Sequence, residues 1–402
     1  MKIGIYNPYV ETKGGGEKVM LAMAAYLSNV KNYEVILITH DKIDFELLGD
    51  YFGLDLRKIK HQRIRFPKYY SLIHRLLLPT RVKNLLFDIR VLRSLKKAHY
   101  DLFINNCFQS NLPNPARLGI YMCMFPQKLK PGKEVSSLKR SYVFMLSIVY
   151  RILAGTTKPS VYSYDLITAN SAYTQSYIKK YWDLDCEILY PICEDMKAPT
   201  DRKKIILNVG RFFENYGENH HKCQDFLLDQ FAKMTNLHKD GWELHFAGTV
   251  AEDLGGLRFI LGLTRKAENL PVRFHFNCSF GELKKLYNQA SIYWHATGYG
   301  SDPNKHPEKQ EHFGITTVEA MSAGVIPVVL DAAGQRETVK NGDNGFLWKS
   351  PKALSDITTK VVKMNPAPLS ALRINSINSS KRYNEQMFEK RLDTIFDGLI
   401  SK

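Results

Sequence analysis

Short apolar runs bounded by turn residues recur along this chain, most of them followed by a stretch with helical periodicity, and this alternation restricts the fold more than any other feature. A brief run of apolar residues without polar alternation suits a strand buried on both faces. Such strands belong to parallel sheets covered by helices on either side. The first series comprises Lys2–Tyr6, Glu34–Thr39, Asp101–Asn105, Leu118–Phe125, Leu166–Ala169 and Cys186–Tyr190, with helices predicted over Glu17–Leu27 and Ser171–Tyr181. Residues 191–202 then hold two prolines, several charges and little apolar content, which reads as a linker. The pattern restarts with strand Lys204–Val209, helix Lys222–Lys233 and strand Glu243–Ala247. Val272–Phe276, Ser291–His295, Ile326–Leu330 and Gly345–Trp348 complete it, and Ser379–Leu399 reads as helical. The expectation is α/β: two doubly wound, Rossmann-like domains over 1–193 and 203–378 and a helical tail over 379–402. Ligands would sit at the carboxyl ends of the strands.

Composition narrows the class. A hydrophobic share of 44% and an aromatic share of 12% belong to a folded globular chain and exclude disorder. No 18-residue apolar run is present, so no transmembrane helix is expected. The first residues read as a strand, without the apolar core and cleavage site of a signal peptide. Six cysteines are scattered with no Cys-x-x-Cys pair, which argues against a zinc site and a disulfide framework and for reduced thiols in the cytoplasm. Asp183-Leu184-Asp185 is a bare Asp-x-Asp in a short polar turn, and no metal is expected there.

The net charge of +16 is uneven. Residues 57–97 carry thirteen Lys or Arg against one acid, Asp88, interleaved with apolar residues such as Tyr69, Leu72, Leu76, Leu85, Phe87 and Ile89. This reads either as a solvated basic face or, given the apolar interleaving, as a basic insertion that meets an anionic membrane surface rather than nucleic acid. A second apolar stretch, Tyr142–Tyr150, is flanked by Lys139, Arg140 and Arg151. It is too short to span a bilayer and reads as an interfacial or a core helix.

Near the C-terminus, Glu311-His312-Phe313-Gly314-Ile315-Thr316-Thr317-Val318-Glu319-Ala320-Met321-Ser322-Ala323-Gly324 places two carboxylates eight positions apart with a Gly between them. If a helix begins at about Ile315, Glu311 lies in the loop before it and Glu319 one turn inside. The unpaired N–H groups of Gly314, Ile315 and Thr316 then suit an anionic diphosphate, with one Glu for a sugar and the other for a ribose. A solvated helix face also carries Glu at this spacing, but the Phe-Gly start and the Ala-Met-Ser-Ala-Gly end argue against that reading.

This wording resembles the Glu-x7-Glu motif of glycosyltransferase family 4, retaining enzymes of GT-B architecture that use nucleotide sugars. It is most similar to the mannosyltransferases of lipid-linked oligosaccharides. The resemblance implies that the C-terminal helical segment crosses back to the first domain. It also implies that Glu319 binds the donor ribose, that Glu311 lies near the transferred sugar and that Phe313, Gly314, Ile315 and Thr316 line the donor diphosphate. Gly210-Arg211 and Lys222 match the family's Val-Gly-Arg and downstream Lys, a fork and a point charge for the leaving diphosphate. Taken alone, both are also ordinary surface cations. Here Lys222 is followed by Cys223 where the family has Lys-Gly. Gly14-Gly15-Gly16 follows the first strand, where a Gly loop lets backbone approach a ligand; Gly15 and Gly16 match the family's Gly loop near donor and acceptor. Relatives carry a His before Phe-Pro where this chain has Met124, and a thioether cannot relay a proton. Tyr121 and Gln127 are the nearby candidates to replace it.

The expected activity is transfer of a hexose, first mannose from GDP-mannose, to a glycan or lipid-linked acceptor with retention. It needs no metal and takes place at the cytoplasmic face of a membrane. Glu311, Arg211 and Lys222 would be catalytic. An epimerase or hydrolase on the same scaffold, or a non-enzymatic basic membrane- or nucleic-acid-binding protein, are the alternatives.

Overall fold

The computed structural model describes residues 1–401 except 9, 13, 66–79, 130–135, 214–220 and 251–252. The chain divides into two compact units, Met1–Pro191 with Glu389–Lys402, and Ile192–Phe388.

The first unit runs β1 (Lys2–Tyr6), α1 (Gly15–Asn29), β2 (Glu34–Thr39), α2 (Phe45–Phe52), β3 (Lys60–Arg63), α3 (Thr80–Ala98), β4 (Leu102–Asn105), β5 (Leu118–Cys123), α4 (Ser137–Ala154), β6 (Leu166–Ala169), α5 (Ala172–Trp182) and β7 (Glu187–Ile188). The sheet order is β3-β2-β1-β4-β5-β6-β7, and every pairing is parallel. The chain order reverses between β1 and β4, a crevice of the kind where open α/β sheets take ligands.

Within residues 57–97 the structure corrects the reading of one continuous basic insertion for a membrane. Lys60–Arg63 is an edge strand paired with β2. In α3, Phe87, Ile89, Val91, Leu92 and Leu95 are buried in the core under the sheet. Arg90, Arg93, Lys96 and Lys97 face solvent, so this helix carries a solvated basic face. Residues 66–79, with Tyr69, Leu72 and Leu76, lie outside the described residues. No helix among the described residues is long and apolar enough to cross a membrane.

The second unit runs β8 (Ile205–Val209), α6 (Gln224–Ala232), α7 (Thr235–Lys239), β9 (Glu243–Gly248), α8 (Leu254–Lys266), β10 (Val272–Phe276), α9 (Phe280–Gln289), β11 (Ile292–His295), α10 (Ile315–Ser322), β12 (Ile326–Leu330), α11 (Gln335–Thr338), β13 (Phe346–Trp348), α12 (Pro351–Val362) and α13 (Pro366–Ser380). Its order, β10-β9-β8-β11-β12-β13, is again fully parallel and reverses between β8 and β11. Successive residues of these strands serve opposite cores. Ile206, Ile292, Trp294 and Val328 pack with α6, α8 and α12, whereas Leu207, Val209, Tyr293 and Val329 pack with α9 and α10. That two-sided burial is why the strands read as unbroken apolar runs.

The last helix, α14 (Glu385–Ile400), begins in the second unit, and its residues from Glu389 onward belong to the first. There Asp393 accepts from the Tyr26 hydroxyl at 2.9 Å and pairs with Lys31 at 2.6 Å, while Arg391 donates to the Ile188 carbonyl at 3.0 Å.

Trp294 is fully buried and donates from its indole N–H to the Thr358 hydroxyl at 3.0 Å. Trp294→Ala should cost about 3–5 kcal/mol through the cavity it leaves. Chemical denaturation should show this as an earlier transition of the second unit.

Candidate active site

The site candidates of the second unit gather at the β8/β11 reversal. β11 alternates, so Tyr293 and His295 point to the face covered by α10, whereas Trp294 points away. The loop after β11 brings Glu311 back over this strand end, and the Gly334 N–H donates to the Glu311 carbonyl at 2.9 Å. Glu311 Oε2 then lies 2.8 Å from Lys222 Nζ and 3.1 Å from His295 Nε2. The Thr297 hydroxyl lies 3.1 Å from the same His295 nitrogen.

The electrostatics of this cluster follow from its enclosure. Burial by itself would raise the Glu311 carboxyl. The Lys222 charge and the His295 hydrogen bond outweigh it and hold Glu311 well below the usual carboxylate range. Burial pushes His295 down, and Glu311 only partly opposes this. The imidazole is therefore neutral near pH 7, with Nε2–H as the donor to Glu311.

Lys222 lies in the turn before α6, not at its first residue, because the helix begins at Gln224. Cys223 takes a left-handed backbone, φ 54°, which costs a residue with a side chain about 1–2 kcal/mol. A glycine at position 223 would carry no such cost. Gly210 leaves room for the lysine, since a Cβ there would come within 3.0 Å of Lys222 Cγ. Arg211 is exposed, with its guanidinium 5.7 Å from the centroid of the Phe213 ring. Gln224 fixes the turn by donating to the Arg211 carbonyl at 3.1 Å.

α10 begins at Ile315, as expected from the Gly before it. Gly314 has φ 96°, and a Cβ there would come within 2.6 Å of the Gln335 amide nitrogen. Both constraints demand glycine. No acidic residue lies in the first turn of α10, so its leading N–H groups keep their partial positive charge. Thr316 Oγ1 accepts from the Tyr293 hydroxyl at 2.7 Å. Glu319 is buried, 3.1 Å from the Tyr287 hydroxyl. Burial, and then the Glu319 charge, hold the Tyr287 phenol well above its ordinary range, so it stays a donor.

One assignment changes. Phe313 is 2% exposed, with its ring edge-on to Tyr383 at 5.0 Å. Its side chain anchors the loop in the core and does not line a donor surface. Three residues escape a reading of the sequence alone: His295, Tyr287 and Tyr293. The signal for His295 was its place at the carboxyl end of a predicted strand.

In the first unit, Gly15 and Gly16 open α1, but Glu17 is buried and accepts from the Gly14 N–H at 2.9 Å. Met124 packs its thioether methyl against Gly16, where a Cβ would collide with it. Tyr121 is buried; its hydroxyl accepts from the Ser110 N–H at 3.3 Å and lies 3.5 Å from the Cys107 carbonyl. It is therefore a core residue and cannot meet a diffusing acceptor. Gln127 is half-buried, and its carbonyl accepts from the Trp182 indole at 2.9 Å. Asp183 and Asp185 both pair with Lys179, at 3.1 and 3.2 Å. Among the described residues no group of three or more His, Cys, Asp or Glu side chains is placed to hold a metal ion.

Removing Lys222 would strand the Glu311 charge. Lys222→Met should destabilise the second unit by about 3 kcal/mol at neutral pH, the lower end of the range for a broken buried pair because both groups keep some exposure. The folded value of Glu311 lies below its unfolded value. Its stabilisation is therefore present above the unfolded carboxylate range and is lost as pH falls through the folded value. In Lys222→Met burial dominates at Glu311, so this acid-side loss should disappear and part of the lost stability should return on acidification, measured as stability against pH. Gly314→Ala should cost at least about 1–2 kcal/mol, because it adds left-handed strain to the clash with Gln335. Chemical denaturation checks that figure.

Comparison with known proteins places this geometry. Residues 194–378 match the family described as Glycosyl transferases group 1. The chain is 26% identical over 280 residues to GDP-Man:Man(3)GlcNAc(2)-PP-Dol alpha-1,2-mannosyltransferase of Mus musculus, covering 63% of this chain and 51% of that protein. It is 25% identical over 300 residues to Alpha-1,3/1,6-mannosyltransferase ALG2 of Rhizomucor pusillus, covering 62% and 60%. The chain thus spans about half the length of the first of these curated relatives. Among solved structures, Anabaena HepE in complex with UDP and glucose superposes with TM-score 0.64 at 16% identity, over 99% of this chain and 100% of that one. WaaG, a glycosyltransferase involved in lipopolysaccharide biosynthesis, gives 0.64 at 14% identity over 98% and 99%. These likenesses give the fold, which is GT-B. The match over residues 194–378 contains the Glu311–Glu319 segment, so this part of the chain is similar to the glycosyl transferases group 1 family.

Proposed function

We propose that this protein is a retaining glycosyltransferase that moves a hexose from a nucleoside-diphosphate sugar to a hydroxyl of a glycan acceptor. The observation that carries the reading is the convergence at one strand reversal of an exposed Arg211, an ionised Glu311 held by Lys222, and the open start of α10. In such a transfer, negative charge grows on the departing diphosphate. Arg211 would meet it with a planar fork of donors, and the first N–H groups of α10 would meet it with fixed dipoles. Lys222 is in ion-pair contact with Glu311, so it adds local positive potential and holds the carboxylate in place.

Glu311 would orient the transferred sugar through its hydroxyls. Glu319, steadied by Tyr287, would take the ribose. Retention follows a front-face route in which a donor phosphate oxygen takes the acceptor proton. This needs no protein base on the acceptor side and is compatible with Met124 standing where relatives have His. Cations and helix dipoles stabilise the leaving group, so no metal is required. The relatives named for GDP-mannose and for a PP-Dol-linked glycan support GDP-mannose as donor and a lipid-linked acceptor.

The test is a panel of nucleotide sugars offered to the full chain with and without glycan acceptors, in the presence of EDTA. The anomeric configuration of the product would be read by NMR. Transfer should require acceptor, retain configuration and survive EDTA. Arg211→Ala should lower kcat by about 10²–10³, the scale for losing a donor to developing charge. Donor consumption at the same rate without acceptor would favour the hydrolase or epimerase reading. Unchanged transfer by both Arg211→Ala and Glu319→Ala would overturn the site.

A further inference from the structure

α4 carries apolar residues on two opposite sides, and among the described residues only one of these sides is covered. Tyr150 and Ala154 are 9% and 2% exposed and pack into the core beside α3. On the opposite arc Leu138, Met145, Val149 and Ile152 recur at helical spacing and are 84%, 54%, 40% and 72% exposed. Phe144 and Leu153 widen this arc on its two sides and are also exposed. A contiguous exposed apolar patch of this kind marks a contact surface.

Charge selects the occupant. Between Lys128 and Lys158 the sequence carries seven Lys or Arg and one acid, Glu134. Arg140 and Arg151 fall along one edge of the exposed arc, next to Phe144 by helical position. Arg151 is steadied there by donating to the Ser147 and Thr157 carbonyls at 3.2 and 3.3 Å. A second copy of the same face would bring two basic arrays together, which opposes self-pairing. An anionic surface with an apolar interior matches both the charge and the arc. The helix, 18 residues with cations at both ends, fails as a membrane span.

We infer that α4 lies in the plane of an anionic lipid surface, with Leu138, Met145, Val149 and Ile152 among the acyl chains and the flanking cations at the headgroups. The inference deepens the proposed lipid-linked acceptor by naming the element that would hold the chain at the surface carrying it. Its evidence, however, is independent of the donor site.

The experiment is co-sedimentation of the full chain with vesicles of phosphatidylcholine mixed with phosphatidylglycerol, at low and high salt, without donor or acceptor. The wild-type chain should bind at low salt and bind less at high salt. The double variant Met145→Asp, Ile152→Asp should bind about tenfold more weakly or worse, with unchanged circular dichroism and unchanged nucleotide-sugar binding. Ile152→Trp should show a blue-shifted indole emission on adding vesicles. The inference is overturned by absence of binding at low salt, or by an aspartate double variant that binds as well as wild type. It is equally overturned by a dimer in solution that the same variant dissolves while vesicle binding is absent. If glycosyl transfer failed on every substrate, vesicle binding would still be expected, so the two readings fall separately.

Discussion

An enclosed carboxylate that stays ionised needs a cation in contact, and much of the second unit's local structure follows from supplying one to Glu311. The cation comes from a turn after β8, and the carboxylate from a loop after β11. Both therefore depend on the sheet reversing its order between those two strands. Cys223 adopts a left-handed backbone beside Lys222, and Gly210 has no side chain in the way. β11 ends one residue after Tyr293 and Trp294 have set the alternation, so His295 faces Glu311 rather than the opposite core. The strain at Cys223 is about 1–2 kcal/mol, less than the cost of an unpaired buried carboxylate. The balance favours the strained turn.

This pairing changes what each charge can do. Lys222 and Glu311 together carry no net charge, so they attract a distant anion weakly. Among the described residues, Arg211 and the start of α10 are not offset in this way. Under the proposed function, initial attraction for a diphosphate would fall to them, while the ion pair would set geometry at the sugar. The proposed catalytic trio thus separates into one cation for the leaving group and one pair for substrate position. In that view Lys222 acts through Glu311 as much as through the phosphate.

The fold was legible in the sequence because parallel strands buried on both faces leave unbroken apolar runs. Val272–Phe276 and Ile326–Leu330 were read with their observed bounds. β3 was not legible, since Lys60–Arg63 is a polar edge strand with no apolar run. Its pairing comes from tertiary context, not local pattern. In the site, Glu311, Glu319 and Gly314 were legible because the motif is contiguous. His295, Tyr287 and Tyr293 were not, since they reach the site through strand alternation and helix packing from elsewhere in the chain. The apolar residues of α3 were misread for a related reason. Sequence shows that a helix has an apolar face but not which surface that face meets. α4 shows the converse, where one helix carries two apolar faces and the core takes only one of them.

The two units also show how similar sequence signals part company in space. Each has glycine opening a helix at the mouth of a parallel sheet, the arrangement that commonly receives phosphate. In α1 the positive end already has a partner, because the Glu17 carboxylate bonds the Gly14 N–H and is buried there, and Met124 closes on Gly16. In α10 the first turn carries no acid, and the Glu311 carboxylate in the loop before it is tied to Lys222. An added anion would meet a compensated helix end at α1 and an uncompensated one at α10. Since such a terminus contributes roughly 0.3–1 kcal/mol per charge at the surface and up to about 2 when partly buried, a diphosphate should settle at α10.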